Sequence, residues 1–230
     1  MSENIIFGIN GPVVTIKGKT DLEMMEMVYV GDARLVGEVI GINNDFTTIQ
    51  VYEETGGLRP GEPVFSTGSP MCVTLGPGIL SNIFDGIQRP LKDIESISGA
   101  FIGRGIDVPA ISPDKKWSVT VKVNIGDSVS GGTVFAECPE TRVIVHRAMI
   151  PTDICGTVTS CVPDGEYTVN DTIIEVTDEK GVVHKITLAQ RWPIRTSRPV
   201  RSRSTSTRPL ITGQRIIDTV FPIVKGGAAA

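Results

Sequence analysis

The sequence is poor in aromatic residues, 5 % of 230, and holds only two histidines, His146 and His184. Histidine is the usual metal ligand and proton shuttle, so this supply leaves little for a metal centre. The four cysteines, Cys72, Cys138, Cys155 and Cys161, are too few and too scattered for a disulfide scaffold in a chain of this length. They read as reduced, mostly buried thiols of a cytosolic protein. Cys155 and Cys161 lie too far apart for a C-x₂₋₄-C zinc pair. No stretch approaches the ~20 consecutive apolar residues of a membrane span. The start, MSENIIFGING, lacks a basic region followed by an apolar core and so is no secretory signal. A positive charge excess is also missing: the net charge is −4, which argues against a dedicated nucleic-acid binder.

What the chain has is apolar residues at 40 %, with 25 glycines and 15 prolines. That mixture supplies real cores and favours many short strands and turns. Residues 1–72 show apolar runs cut by turn signals. NIIFGINGPVVTIKG places two runs around Asn10-Gly11, and Val28, Val30, Leu35, Val36, Val39 and Ile40 carry the next alternation. β-Branched residues with turns about every 8–12 residues fit a small all-β barrel. In LGPGILSNIFDGIQRPLKDI, the residues Ile79, Leu80, Ile83 and Ile87 have helical spacing. The spacing predicts a helix starting after Gly78, weakened at Gly86 and stopped by Pro90.

Residues 99–190 return to β character. WSVTVKVNIGDSVSGGTVFAEC alternates Val119, Val121, Val123 and Ile125 and turns at Gly126-Asp127; a later stretch turns at Asp164-Gly165 and near Lys180-Gly181. GDSVSGGTVFAE and GEYTVNDTIIEV are alike, which suggests a quasi-symmetric flattened barrel of two hairpin units. Two copies are too few for a solenoid. Residues 191–208 carry six arginines and no acid. Pro193 and Pro199 prevent a regular helix there, so the run reads as an extended, solvated connector. Near the other end, TGQRIIDTVFP reads as a short helix.

The chemistry-bearing motifs all meet a plainer reading. Gly18-Lys19-Thr20 lacks a phosphate loop's first glycine, since Val13 stands at that place, and no helix opens at Thr20; a turn fits better. The arginine run has only Trp192 for base stacking and reads as packing and ion-pair groups. The paired hairpin units resemble biotinyl or lipoyl carrier domains, but the tip expected in VHRAMIPTDICGTV offers Met149 flanked by Arg147 and Ile150, with no lysine to carry a cofactor. No nucleophile elbow or convincing carboxylate pair is present.

The order of parts is distinctive. VYEETGGLRPGEPVFSTG closing a barrel, then LGPGILSNIFDGIQRPL, then PLITGQRIIDTVFPIVKGGAAA together resemble the catalytic subunits of archaeal A-type and vacuolar-type rotary ATPases, from about residue 4 to residue 230. The β-rich stretch near 110–190 resembles the bulge insertion of catalytic A subunits, which non-catalytic B subunits and F-type β subunits lack. The implied fold is mainly β: an N-terminal six-stranded barrel (1–72), the start of an α/β P-loop nucleotide-binding domain (73–109), a barrel-sandwich-like bulge (110–190), and a return into the nucleotide-binding domain (191–230).

The resemblance further implies that KGGAAA opens a buried strand leading into the phosphate loop, with Lys and Thr of that loop serving the phosphates and Mg²⁺. Those positions lie outside these residues, so the expected catalytic, cofactor-binding and metal sites within the chain are none. MgATP or MgADP belongs to the full-length protein and is not expected on this fragment. The implied partners are B subunits in an A₃B₃ hexamer and peripheral- and central-stalk subunits, with no nucleic acid; the implied location is cytoplasmic, peripheral to the membrane through the complex. Thr212 is expected to cap the short helix, with Ile216, Ile217 and Val220 facing the core and Pro222 ending it. The alternative reading is a non-enzymatic assembly module, from a split or truncated gene, that binds neighbouring subunits.

Overall fold

The computed structural model describes residues 4–80, 82–200 and 202–228. Residues up to Thr196 form one compact unit and Ser197 onward a second.

Six strands form the first sheet: β1 (Ile6–Asn10), β2 (Val13–Lys17), β3 (Glu26–Val30), β4 (Leu35–Ile42), β5 (Phe46–Val51) and β6 (Val64–Pro70), ordered β1-β2-β5-β4-β3-β6. All neighbours are antiparallel. The β1–β2 hairpin turns through Gly11, whose φ of 55° suits a residue without Cβ. The edges β1 and β6 meet at one end: Ile5 bridges Pro63, Ile6 N–H donates to Glu62 O (2.9 Å) and Val64 N–H to Asn4 O (2.7 Å). Val14, Val28, Val30, Val39 and Ile49 lie on the inner face with no exposed surface. Their period of two is what packs one face of a pleated strand into a core.

The chain leaves this sheet through β7 (Cys72–Leu75), which pairs with β16 (Gln190–Pro193) in a two-stranded sheet. Exit from and return to the first sheet are therefore adjacent. Among the described residues, which leave out residue 81, no helix occupies the span predicted to follow Gly78. The Asp85 carboxylate accepts from the Ile87 N–H (3.1 Å) and Arg89 N–H (2.8 Å), and Gln88 takes a φ of 65°. This Asx-type turn competes with the helix and wins over apolar spacing. The helix forms afterwards, as α1 (Leu91–Ser98), with Pro90 at its N-cap and Ile94 buried. Proline lacks only a donor that the first helical turn leaves unused, so Pro90 starts this helix; it does not end one.

Between β7 and β16 lie two four-stranded sheets. They are built from β8 (Trp117–Val121), β9 (Ser128–Val129), β10 (Val134–Pro139), β11 (Val145–Met149), β12 (Gly156–Cys161), β13 (Gly165–Tyr167), β14 (Thr172–Thr177) and β15 (Val183–Thr187). Their orders, β11-β10-β8-β13 and β15-β14-β12-β9, interconvert when the first four strands are exchanged for the last four. The two units are thus related by a pseudo-twofold, each lending its short second strand to the other's sheet. Details repeat as well. β10 and β14 share the run of two buried, one half-buried and one buried residue after their first. The β10–β11 and β14–β15 ladders shift register at equivalent places, Val134/Ala136 and Thr172/Ile174. The core between the sheets holds Phe135, Cys138, Ile173 and Val176, none with exposed surface.

In the second unit, Pro209 bridges Val224 and α2 (Arg215–Val220) is a short helix. It has no buried residue: Ile216 is 70 % and Val220 62 % exposed. The expectation that Ile216, Ile217 and Val220 face a core is therefore corrected. Among the described residues of 197–228, none forms a buried apolar layer for α2 to cover. The helix ends at Val220, with Pro222 following. Of the expected buried strand at 225–230, residues 225–228 are exposed and not a strand, and 229–230 lie outside the described residues; no strand of this unit runs beside 225–228 among the described residues.

Candidate functional site

Glu38 and a second network of charged side chains sit at the neck where the six-stranded sheet meets the inserted sandwich. Glu38, on β4, is 1 % exposed. Arg195, just past β16, grips it with two bonds, Nε to Oε1 (3.0 Å) and Nη2 to Oε2 (2.7 Å), and Tyr52 donates its hydroxyl to Oε2 (2.6 Å). The Arg195 hydrogen bond holds the Glu38 carboxyl below the usual range against burial. Burial, then the Glu38 bond, pushes the Tyr52 phenol up. A planar guanidinium matches a carboxylate edge to edge, so this clamp fixes the returning chain on the sheet. One member of the arginine run thus serves as an ion-pair group.

A second network sits beside it. Arg89 donates Nε to Asp85 Oδ2 (2.8 Å) and Nη1 to Glu53 Oε2 (3.3 Å), all three side chains being at most 16 % exposed. Glu53 also accepts from the N–H groups of Val36 (3.3 Å) and Gly105 (3.0 Å). Burial alone would raise the Asp85 carboxyl; bonds from Arg89 and Ile87 outweigh it and hold the carboxyl below its ordinary range. Gln88 exchanges two side-chain bonds with the backbone of Thr74, Thr74 N–H to Oε1 and Nε2 to Thr74 O (both 2.7 Å), sealing that edge of β7. Glu26 has no cation partner among the described residues: it accepts from the Ser66 hydroxyl, Gly68 N–H (2.9 Å) and Glu23 N–H (2.8 Å).

The pseudo-twofold places one histidine–acid pair on each unit, His146 with Glu140 (3.7 Å) and His184 with Asp178 (3.1 Å). The pairs have diverged. Glu140 Oε1 accepts from the N–H groups of Gly78 (2.7 Å) and Leu80 (3.0 Å), which ties the first hairpin to the segment after β7. Asp178 instead closes its own turn, accepting from Lys180 and Val182 N–H (both 2.9 Å). Burial keeps His146 below its ordinary pKa, with Glu140 pulling the other way. In the sequence the histidines lie past the two like stretches GDSVSGGTVFAE and GEYTVNDTIIEV. The likeness continues into VIVHRAM and GVVHKIT, which share a Val-His-basic pattern.

Other residues singled out in the sequence fall as follows. Gly18-Lys19-Thr20 follows β2 as a surface turn, with the Thr20 hydroxyl 2.9 Å from that of Thr47. Met149 lies in β11, and the residues after it cross from one sheet to the other, so VHRAMIPTDICGTV is not a hairpin tip. Thr212 does not cap α2 from its side chain. Gln214 holds the N-cap, and Thr212 and Gly213 instead donate to the Asp218 carboxylate. Of the cysteines only Cys138 is buried, its thiol pushed up to about 11 by burial and then Glu140; Cys155 is exposed. No helix among the described residues is long and apolar enough to cross a membrane.

Known proteins share this arrangement. Residues 6–68 match the beta-barrel domain of the ATP synthase alpha/beta family, and residues 108–195 match the barrel-sandwich domain of ATP synthase alpha/beta subunits. Over 98 % of its length the chain is 53 % identical to a V-type ATP synthase alpha chain of Halothermothrix orenii and 51 % identical to the A subunit of an A-type ATP synthase of Methanopyrus kandleri. It spans 38 % of the length of each of these relatives, and 22 % of the corresponding A-type protein of Pyrococcus abyssi, to which it is 47 % identical. With both β domains matched in order and nearly every residue aligned to such proteins, the chain belongs to the ATP synthase alpha/beta family, on its A-type and V-type side.

Proposed function

We propose that this chain supplies the N-terminal domains of the catalytic A subunit of an A/V-type rotary ATP synthase or ATPase, whose full-length form uses MgATP and MgADP and couples their interconversion to H⁺ or Na⁺ movement. The observation that carries this is the barrel-sandwich domain at 108–195, joined to near-complete alignment with relatives named as alpha chains or A subunits. On this reading residues 1–72 pack beside B subunits in the crown of an A₃B₃ hexamer. Residues 73–109 and 191–230 contribute to the nucleotide-binding domain, and 110–190 reach toward a peripheral stalk. The protein is cytoplasmic and meets the membrane only through the complex. Catalytic and nucleotide-contacting groups are assigned to no residue here.

The alternative is an assembly module without activity of its own. The exposed run Val143 (89 %), Ile144 and Val145 on one hairpin, with Val182 and Val183 in the equivalent place on the other, favours protein contacts by the sandwich. Mixing the chain with B subunits, with and without a fragment carrying the remaining length of its relatives, separates the readings. Recovered ATP hydrolysis with that fragment supports the catalytic reading. B-subunit binding with no activity even then supports the module, and failure to bind B subunits at all counts against both.

A further inference from the structure

The outer face of β3 carries Tyr29, opposite Val36 of β4 and Phe65 of β6. Residues 104–110 cross this face. Arg104 donates to Gly56 O, Gly105 N–H to Glu53 (3.0 Å), and Ile106 O accepts from Arg89 (3.3 Å). Gly105 has a φ of 65° and lies so close to the Ala33 carbonyl that a Cβ would collide with it. The crossing leaves a cavity of about 320 Å³, lined also by Arg191 of β16.

Five charged groups line this cavity: Arg34, Glu53, Arg89, Asp107 and Arg191. Glu53 and Arg89 neutralise each other. Arg34 lies over the Phe65 ring (4.6 Å) and Arg191 reaches only the Ser69 hydroxyl (3.5 Å). Among the described residues, neither guanidinium has a carboxylate within 4.0 Å, and Asp107 has no cation within that distance. The three groups line the cavity together with the Tyr29 phenol. Burial and then Asp107 raise its pKa, while Arg191 and Arg34 lower it.

Two guanidiniums and a phenol present donors to an oxyanion. An ionised aspartate accepts but cannot donate, so it repels a fully deprotonated anion and welcomes one that brings its own proton. We propose that this cavity binds inorganic phosphate in a protonated form, with Arg34 and Arg191 on its charged oxygens, Tyr29 donating, and Asp107 accepting from the P–OH. No residue assigned to nucleotide chemistry takes part.

Calorimetric titration of the 230-residue chain near neutral pH and at fixed ionic strength tests this, using inorganic phosphate, sulfate and glycerol phosphate. Phosphate is expected to saturate and to bind at least about tenfold tighter than sulfate, which carries no proton. Glycerol phosphate is expected to lose affinity as its own remaining proton leaves. R34Q and R191Q each weaken phosphate by about tenfold, D107N abolishes the preference over sulfate, and R203Q changes nothing. Phosphate should also protect Arg34 and Arg191 of the unaltered chain from phenylglyoxal, read by peptide mass; this arm needs no variant to fold. Phosphate that does not saturate, that binds no better than sulfate, or that binds R34Q and R191Q like the parent chain overturns the proposal. Glycerol phosphate binding tighter than inorganic phosphate would reassign the cavity to phosphomonoesters and overturn it too.

Discussion

Phe135 and Phe221 are the same residue type in contrasting surroundings. Phe135, on β10, has no exposed surface, whereas Phe221, at the end of α2, is 69 % exposed. The same contrast holds for whole stretches. The two β domains bury their alternating residues between or within sheets, while α2 and its flanks, Leu210, Ile211, Ile216, Val220 and Phe221, stay open. An amphipathic or apolar stretch states a need for burial without stating where the covering layer is. In the β domains the covering layer lies in the same unit, and strand period predicts burial well. In residues 197–228 it does not.

The largest test of this contrast is a matched pair of truncations. Phe135→Ala should cost about 3–5 kcal/mol in denaturant unfolding, as buried aromatic truncations do, while Phe221→Ala should stay within about 0.5 kcal/mol. Equal effects would break the comparison. Next in size is Glu38→Ala. It removes the shared acceptor of Arg195 and Tyr52, and should destabilise the first unit by about 2 kcal/mol. Because the folded Glu38 carboxyl sits below its usual range, its stabilisation is full above the ordinary glutamate pKa of about 4.3 and is lost as pH falls through the folded value. An acid-denaturation curve for Glu38→Gln should accordingly be flatter than that of the parent chain.

A smaller pH effect should come from His146. Its folded pKa lies below the ordinary value, because burial disfavours the charged ring more than Glu140 favours it. The unfolded chain therefore binds more protons, and stability rises with pH through about 6.5 and falls as pH drops below it. His146→Phe should remove this slope, read as unfolding midpoint against pH. The smallest expected effect is Asp218→Asn. It weakens the bonds from Thr212 and Gly213, so those two amides should exchange faster while the unfolding midpoint of the β domains stays in place.

How far the sequence can be read follows the same physics. Strands with turns at Asn10-Gly11, Gly126-Asp127 and Lys180-Gly181 are legible because alternation and turn chemistry agree locally. The resemblance of GDSVSGGTVFAE to GEYTVNDTIIEV is enough to suggest a doubled unit, but the exchange of β9 and β13 between sheets is a long-range event that local similarity does not encode. Apolar spacing at Ile79, Leu80, Ile83 and Ile87 points to a helix too early in the chain, because the Asp85 carboxylate offers the backbone a competing turn. The neck is the least legible part. Arg195 meets Glu38 across 157 residues of chain, and Glu140 meets Gly78 across 62. Neither pairing has a periodic signature; the only clue is an acid-free run of arginines in an acidic chain.

The contrast between the domains is tested most directly by hydrogen exchange of the intact 230-residue chain, followed by mass. Amides in β4, β10 and β14 should exchange only through global unfolding, orders of magnitude more slowly than those of α2, which should exchange at close to unprotected rates. Protection in α2 equal to that of β10 would contradict the account, since a helix without a buried residue has no apolar packing to hold it beyond the polar bonds to Asp218.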